Sequence, residues 1–447
     1  MNRTRTKSLT KKALTDKDTM MSIGNAIKVE TGSIKAGDNS LQAFDVDRIR
    51  EDFPILQREI YGRPLVYLDS AASAQKPRQV LDRMNEAYEN YYSNVHRGVH
   101  SLSQTCTEAF ESGRTAAARF INAETPDQCI LTKGATEAIN LVAQSYGRNF
   151  LKAGDEIIIS HMEHHSNIVP WQILRDQIGI EIKVVPVDGD ANFLFDEYES
   201  LFSPRTKLVA ITHISNAVGT INPIKDIIRV AHDHGAKVLV DGCQAAPHAH
   251  IDVQDLDPDF YCFSGHKVYG PSGIGVLYGK ADLLNSMPPY QGGGEMIDLV
   301  TFEKTTYKEI PHRFEAGTPA IVEAIGLGAA IEYIEALGKE NIAAHENGIL
   351  AYATERLSRI PGLTIIGRAK EKASILSFTM EEAHAHDIGT ILDRRGVAVR
   401  AGHHCAQPLM QRFDLPATAR ASFGIYNTRA EVDALADALD KVRELFS

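Results

Sequence analysis

Short apolar runs alternate with longer helical segments through the middle of this chain, and no other feature restricts its fold so strongly. The runs are nearly all apolar and only three to five residues long, which predicts buried strands and not helices. Strands that alternate with helices in this way form a mostly parallel sheet with helices on both faces. We therefore predict an α/β fold with strands at residues 129–131, 156–160, 182–186, 208–212, 238–240, 260–263 and 275–278.

The pattern changes after Gly317-Thr318-Pro319. A long helical stretch follows to about residue 359, and strands and helices then mix without regular alternation. Further strands are predicted at 363–366, 374–379, 397–400 and 419–423, and helices at 386–395 and after the capping box Thr428-x-x-Glu431. We therefore predict a large domain at residues 66–319 and a smaller α+β domain at residues 45–65 and 320–447.

The first 44 residues differ from the rest of the chain. Five basic and no acidic residues stand among the first twelve, and the Thr, Ser, Lys and Asp mixture that follows has no apolar periodicity. Such a composition predicts a disordered extension over residues 1–44. A targeting segment, or a start codon upstream of the native one at Met20 or Met21, are the alternatives.

Charge and cysteine content exclude several classes of protein. The net charge of −11 leaves no basic stripe for nucleic acid or an anionic membrane. No apolar run approaches the roughly 18–20 residues of a membrane span. The five cysteines are an odd number without a Cys-x-x-Cys pair, so neither a disulfide framework nor a zinc ribbon is predicted. These features predict a soluble protein of a reducing compartment, the cytoplasm.

Lys267 follows a short apolar run in the segment 259–271 (DFYCFSGHKVYGP). Ser264 and Gly265 end the predicted strand and place the lysine at its exit, where α/β folds hold their chemistry. Beside the Gly270-Pro271 turn, the amine is poorly solvated and can act as a Schiff-base nucleophile. The alternative is a surface lysine, because most lysines near Gly and Pro are exposed.

A second strand ends in a carboxylate. In the segment 237–245 (KVLVDGCQA) the apolar strand ends at Asp241, and Gln244 follows three residues later. Pyridoxal phosphate needs a lysine to carry it and an acidic residue that keeps its ring nitrogen protonated, so Lys267 and Asp241 favour a site for this cofactor. The alternative is a turn residue, because Asp-Gly is common in turns.

Five motifs, taken in their order along the chain, resemble one enzyme family. They are Glu163-His164-His165, Ser215-Asn216, Asp241-Gly-Cys-Gln244, Ser264-Gly-His266-Lys267 and Arg400-Ala-Gly-His-His-Cys405. The order resembles that of the cysteine desulfurases of the class V aminotransferase-like family, and the Gly-His-His-Cys form resembles their SufS-type, group II members. The resemblance runs from about Phe44 to the C-terminus and implies the fold type I of pyridoxal phosphate enzymes.

The phosphate of the cofactor needs hydrogen-bond donors. The segment 132–137 (TKGATE) lies between a predicted strand and a predicted helix, so its backbone amides and the Thr136 hydroxyl face whatever binds at that helix start. The resemblance adds the Gly317-Thr318 region of a second subunit and so implies a homodimer. The predicted phosphate contacts are Ala135, Thr136, Ser264 and His266, with Thr318 from the second subunit.

Two clusters of histidines allow more than one interpretation. His164 is predicted to stack its flat ring on the cofactor and to move a proton, and the resemblance places a histidine of the Glu-His-His motif there. The segments 161–165 and 403–405 also contain imidazoles and a thiol, which are zinc ligands. No acidic or cysteine partner recurs at metal spacing, so no metal is predicted. A capping or hydrogen-bonded loop role fits His161 and His165 better.

Arg420 is the predicted contact for a substrate carboxylate. It lies on the predicted strand 419–423, and its guanidinium matches two carboxylate oxygens in geometry and charge. Asn216 is predicted to hold the same substrate from the other side, and Arg400 is a further predicted contact. A surface salt bridge is the alternative for Arg420.

Cys405 is the predicted nucleophile. It stands in a polar loop beside His403 and His404, which favour the reactive thiolate; an ordinary exposed cysteine is the alternative. Five residues from Arg400 leave the loop little reach, so sulfur must be collected at the site. The predicted partner is therefore a small SufE-like or SufU-like sulfur-acceptor protein, as in the group that the chain resembles.

Together these residues predict a cysteine desulfurase that converts L-cysteine to L-alanine. Sulfur moves to Cys405 as a persulfide, for iron–sulfur cluster assembly, while Lys267 and His164 handle protons. Selenocysteine lyase is an alternative that uses the same residues. An aminotransferase would leave Cys405 unused, and a zinc-dependent binding protein would leave Lys267 unused.

Overall fold

The structure is a computed structural model that describes residues 44–446. The predicted extension over residues 1–44 lies outside the described residues, apart from Phe44. Within residues 44–446, no helix combines the length and the apolar character that crossing a membrane requires.

A seven-stranded sheet forms the centre of the fold, which confirms the predicted α/β class. Six of its strands run in the same direction, whereas Gly275–Gly279 is antiparallel to both of its neighbours. In spatial order the strands are Cys129–Thr132, Gly275–Gly279, Phe260–Ser264, Lys237–Asp241, Thr206–Thr212, Glu156–Ser160 and Glu181–Val185.

Six strands of this sheet are buried on both faces, which explains why they are apolar without alternation, whereas the edge strand Glu181–Val185 is partly exposed. Val238 and Val240 belong to one hydrophobic cluster, whereas Leu239 between them belongs to another, because successive side chains point to opposite faces. Between residues 66 and 337, the α-helices with six or more residues are Arg78–Glu86, Ser101–Phe120, Ala135–Leu141, Val169–Ile178, Phe195–Ser200, Ile224–Asp233, Ala281–Ser286 and Ile321–Leu337.

A second sheet has four strands, all antiparallel to their neighbours. In spatial order they are Leu363–Ile366, Ile375–Met380, Thr418–Ser422 and Arg400–Gly402. Apolar residues of this sheet share a hydrophobic cluster with the helices Lys339–Ser358, Ala385–Asp393 and Arg429–Phe446. This sheet brings Arg400 and Arg420 side by side as register partners.

The strand predicted at residues 397–400 is two strands in different sheets. Val397–Ala398 pairs in parallel with Val66–Tyr67, whereas Arg400–Gly402 joins the four-stranded sheet. A continuous apolar pattern does not reveal where a strand changes partners, because pairing depends on residues that are distant in sequence.

The long helical stretch predicted after residue 319 is also divided. Ile321–Leu337 ends at Gly338, whose φ of 81° lies in the left-handed region that glycine adopts most easily. Ile321–Leu337 packs against Ser101–Phe120 and shares a hydrophobic cluster with the seven-stranded sheet. The division into residues 66–319 and residues 45–65 with 320–447 stays a prediction.

Candidate active site

A cavity of about 470 Å³ lies where strands of the seven-stranded sheet end and the four-stranded sheet begins. All predicted site residues line it except Thr318, which is exposed elsewhere on this chain. The contribution of Thr318 from a second subunit stays a prediction. The predicted residues that line the cavity are Ala135, Thr136, His164, Asn216, Asp241, Gln244, Ser264, His266, Lys267, Arg400, Cys405 and Arg420.

Lys267 stands at the exit of a fully buried strand, Phe260–Ser264. A single tight turn, Gly265–Lys267, follows, and Gly265 donates a hydrogen bond to the carbonyl oxygen of Ile274 at 2.9 Å. A Cβ atom at Gly265 would lie 2.7 Å from the Ile274 side chain, so only glycine fits this close approach. The turn therefore fixes the backbone from which the half-buried Lys267 side chain enters the cavity.

The contacts of Asp241 and Gln244 indicate whether pyridoxal phosphate fits the cavity. Asp241 is 4% exposed, and its Oδ1 accepts a hydrogen bond from the Cys243 backbone at 3.0 Å, the turn contact named above as the alternative. Gln244 donates to the carbonyl oxygen of Ala71 at 2.7 Å, but its buried Oε1 has no hydrogen-bond partner among the described residues. The ring nitrogen and the hydroxyl group of pyridoxal phosphate would supply partners for this carboxylate and this amide oxygen.

The predicted phosphate contacts gather at one helix start. Ala135 opens the helix Ala135–Leu141 and donates a backbone hydrogen bond to Ser264 Oγ at 2.9 Å. A Cβ atom at Gly275 would lie 2.5 Å from the Cα atom of Gly134, so a side chain there would push this turn away from the strand. Backbone donors at a helix start and two hydroxyl groups, those of Thr136 and Ser264, suit a phosphate group.

His164 presents a neutral ring to the cavity. Its Nδ1 accepts a hydrogen bond from the Ser166 backbone at 3.1 Å, so the proton of the neutral ring lies on Nε2. Burial, with the nearby charge of Lys267, lowers the pKa of His164 to about 4. This contact also caps the short helix His165–Asn167, a role that the sequence favoured for His161 and His165.

Glu163, for which the sequence predicted no separate role, lies fully buried behind His164. It accepts hydrogen bonds from Ser160 Oγ at 2.6 Å, from Asn167 Nδ2 at 2.7 Å and from the Thr212 backbone at 3.1 Å. Burial raises the pKa of Glu163 to about 8. These contacts fix the segment that carries His164 against the strand Thr206–Thr212.

Cys405 stands in the loop between the strand Arg400–Gly402 and the helix Gln407–Arg412. Its side chain is exposed, whereas the other four cysteines are buried. His404 and Cys405 have φ angles of 53° and 55°, in the left-handed region. The nucleophile predicted from the sequence is therefore both accessible and held in an uncommon backbone conformation.

Side chains from two distant segments hold this loop. Asn216 donates from Nδ2 to the carbonyl oxygen of His404 at 2.7 Å, and the buried His404 ring is hydrogen-bonded through Nε2 to Thr418 Oγ1 at 2.8 Å. His165 donates its backbone N–H to the carbonyl oxygen of Cys405 at 2.7 Å. Its ring Nε2 accepts the backbone N–H of Gln407 at 3.2 Å.

His165 therefore caps the helix Gln407–Arg412, which is distant in sequence. The local sequence pattern does not reveal this contact. Asn216, predicted as a substrate contact, lines the cavity and also supports the loop that contains His404 and Cys405.

Asp69 is a residue of the site that the sequence did not identify. Its carboxylate accepts hydrogen bonds from Arg420 Nη2 at 3.2 Å and from Arg400 Nη2 at 2.8 Å. Arg420 is buried and also donates to the carbonyl oxygen of Asn216 at 2.8 Å, while its Nε has no partner among the described residues. The two arginines and Asp69 leave one net positive charge, which suits a carboxylate ligand.

Comparisons with known proteins place this geometry in context. A model of the aminotransferase class-V family matches residues 66–435. A cysteine desulfurase of Shigella sonnei is 52% identical over 403 residues, which are 90% of this chain and 99% of that protein. A cysteine desulfurase of Synechococcus elongatus is 51% identical over 419 residues, 94% of this chain, and the match spans 66% of that protein. The crystal structure of the cysteine desulfurase CsdA (S-sulfonic acid) from Escherichia coli aligns with a TM-score of 0.85 and 40% identity, over 91% of this chain and 100% of that one.

Proposed function

Because this chain belongs to the aminotransferase class-V family and, within it, to the cysteine desulfurases, we propose that Cys405 takes the sulfur of L-cysteine as a persulfide and releases L-alanine. The atoms balance: the Cβ–S bond of the substrate breaks, an S–S bond to Cys405 forms, and the substrate carbon gains a proton. The observation that carries the proposal is that Cys405 is exposed on an anchored loop and lines the same cavity as Lys267.

Pyridoxal phosphate is the cofactor of this family, and the residues of the cavity fit it. When bound, it withdraws electrons from the bonds at the α-carbon of an amino acid. Lys267 would hold it covalently, Asp241 would keep its ring nitrogen protonated, and Gln244 Oε1 would accept a hydrogen bond from its hydroxyl group. The residues that would hold the phosphate are Ala135, Thr136, Ser264 and His266, with Thr318 from the partner of a homodimer.

Two groups move protons in this proposal. The amine of Lys267 takes and returns the proton of the substrate α-carbon, because it enters the cavity from a fixed turn. His164 donates from Nε2, because its Nδ1 is occupied by the Ser166 backbone. Arg420 and Arg400 bind the substrate carboxylate, and Asn216 contacts the substrate as well as the loop.

The anchored loop supports a partner that comes to the site. Three hydrogen bonds hold His404 and Cys405, so the persulfide has little freedom to travel. We therefore expect a SufE-like or SufU-like acceptor with its own cysteine to dock around Cys405, as part of SufS-type iron–sulfur cluster assembly. A cytoplasmic location follows from this chemistry, because Cys405 must be reduced before each turnover.

The persulfide proposal is tested with Cys405→Ser and Cys243→Ser. Both thiols line the cavity, but Cys243 is buried, and its burial raises its pKa to about 12. Cys405→Ser should keep the visible absorption of bound cofactor and its response to L-cysteine, yet form no protein persulfide and no alanine. Cys243→Ser should still form the protein persulfide and release alanine. Alanine formation by Cys405→Ser at the rate of the unchanged protein would remove Cys405 from the reaction.

The acceptor proposal needs a separate measurement. Alanine formation from L-cysteine is followed at a low concentration of reductant. The enzyme is assayed alone, with a SufE-like protein and with a SufU-like protein. We expect slow turnover alone and strong acceleration by one of the two acceptors. Equal rates in all conditions, with a small thiol serving as well as either protein, would contradict the partner and leave the persulfide chemistry intact.

A further inference from the structure

Outside the cavity, one set of side chains within residues 44–446 brings three metal-ligating groups together. His96, Glu111 and His312 each offer one ligand atom, and these atoms lie within 4.8 Å of one another. His96 Nε2 lies 2.8 Å from Glu111 Oε1, and the ring centroids of His96 and His312 are 5.1 Å apart. None of the three lines the cavity around Lys267.

The backbone and a neighbouring ring fix the first of these ligands. The backbone N–H of His96 donates to Thr107 Oγ1 at 2.9 Å, and the edge of the imidazole meets the ring of Phe110 at 5.5 Å. The side chain of His96 is 18% exposed, so its ring position is set by packing while an ion from solvent still has access.

Arg114 fixes the second ligand from the other side. This arginine is 1% exposed and donates from Nε to Oε2 of Glu111 at 2.8 Å. Glu111 Oε1 faces His96 and also accepts a longer hydrogen bond from Arg114 Nη2, at 3.4 Å. A hydrogen-bonded outer partner of this kind orients a ligating carboxylate. Arg114 also pairs with Glu315, so the surroundings carry one net negative charge when both histidines are neutral.

We propose that His96, Glu111 and His312 bind one Zn²⁺ ion. Two imidazoles and one carboxylate are ligands that zinc prefers, whereas Mg²⁺ and Ca²⁺ prefer sites built from oxygen alone. Tetrahedral bonds of about 2.0–2.2 Å place ligand atoms roughly 3.4 Å apart. His96 Nε2 and Glu111 Oε1 lie 2.8 Å apart and need to separate by only a fraction of an ångström, while His312 offers a ligand atom within 4.8 Å of both. The fourth position is left to water.

The ion would connect three parts of the chain. His96 lies before the helix Ser101–Phe120, Glu111 lies within this helix, and His312 begins the turn His312–Phe314. Six residues after His312 comes Thr318, the residue proposed to reach the cofactor phosphate of the partner subunit. Zinc at this position is a structural link, outside the reacting groups.

The test uses the full chain with its cofactor, without an affinity tag, in a Cys405→Ser background that removes the one exposed thiol. After treatment with a chelator, Zn²⁺ binding is measured by calorimetry, and Co²⁺ serves as a spectroscopic probe of coordination. We expect one equivalent of either ion per chain. His96→Gln and His312→Gln should each weaken binding by more than about 100-fold, because even outer-shell partners change metal affinity by 10–100-fold.

The matched control is His232→Gln. His232 is a partly exposed histidine that also pairs with a carboxylate, Asp259, at 2.8 Å, but it has no place in the three-ligand set. This variant should bind Zn²⁺ like its parent. Circular dichroism verifies the fold of each variant. His312 is the more exposed of the two histidine ligands, so its replacement should disturb the fold less than that of His96. Absence of a bound equivalent in the parent, or unchanged binding in both ligand variants, would overturn the proposal.

Discussion

Arg420 donates a hydrogen bond from Nη2 to Oδ1 of Asp69, at 3.2 Å, although the two residues lie 351 positions apart in the chain. Arg420 is 1% exposed, and burial lowers its pKa to about 10. The same carboxylate is bound by Arg400. Asp69 is therefore a shared counter-ion that positions both arginines, which are the proposed contacts for a substrate carboxylate.

Replacing Asp69 with asparagine should destabilise the protein. The amide keeps the size and one oxygen acceptor, but the buried Arg420 loses its counter-ion. We expect the free energy of unfolding to fall by about 1–3 kcal/mol, the cost of an imperfectly satisfied buried group. The measurement is urea denaturation of the cofactor-loaded protein. Asp255→Asn, in an exposed pair with Lys225, should change it by less than about 0.5 kcal/mol. Equal effects of the two variants would contradict a special role for Asp69.

His165→Ala should slow the sulfur step without weakening substrate binding. The ring of His165 accepts the backbone N–H of Gln407, just beyond Cys405, and this contact disappears in the variant. Loss of one hydrogen bond of about 1 kcal/mol corresponds to roughly a fivefold decrease in kcat for alanine formation. KM and the visible absorption of bound cofactor should stay unchanged, and His165→Gln should restore part of the rate. A raised KM at unchanged kcat would instead make His165 a substrate contact.

Lys267→Ala should lose the visible absorption of lysine-bound cofactor, and borohydride should fix no cofactor to the protein. The control is Lys76→Ala. Lys76 is a second partly buried amine near the site, where it contacts the carbonyl oxygen of His266 at 3.5 Å, and burial lowers its pKa to about 8. Lys76→Ala should keep the absorption. If borohydride still fixes cofactor to the Lys267→Ala protein, the central assignment is wrong.

The stability of the protein should depend on His404 at acidic pH. Burial, with Arg420 and Arg400 nearby, lowers the pKa of His404 to about 3, whereas an unfolded histidine titrates near about 6.5. Between these values only the unfolded chain binds the proton, so stability falls as the pH falls, by up to about 1.4 kcal/mol per pH unit.

His404→Gln, which retains a group that reaches Thr418, should remove this part of the pH dependence. From pH 6.5 to pH 5, the unchanged protein should lose about 1.5 kcal/mol more than the variant, as measured by denaturation at each pH. His250→Gln, at an exposed position, is the control and should follow the unchanged protein. Parallel curves for all three proteins would rule out His404 as the source.

The sequence predicted the large sheet and the lining of the cavity because both depend on local patterns. Apolar strands that end in polar residues indicate where Asp241 and Lys267 lie, and five ordered motifs indicate their chemistry. The roles of Asp69 and His165 depend on contacts between segments that are more than 200 residues apart, and no local pattern encodes them. The division of the strand 397–400 escaped prediction for the same reason.

At position 405, the residue that would make the left-handed backbone most stable is not the residue that the proposed activity needs. Residues with a β-carbon lose about 1–2 kcal/mol in this conformation, and glycine does not. A glycine at position 405 would relieve that loss but would have no thiol. Directed evolution of this protein for heat resistance alone should therefore select against Cys405, the proposed nucleophile, and such a selection needs a simultaneous requirement for sulfur transfer.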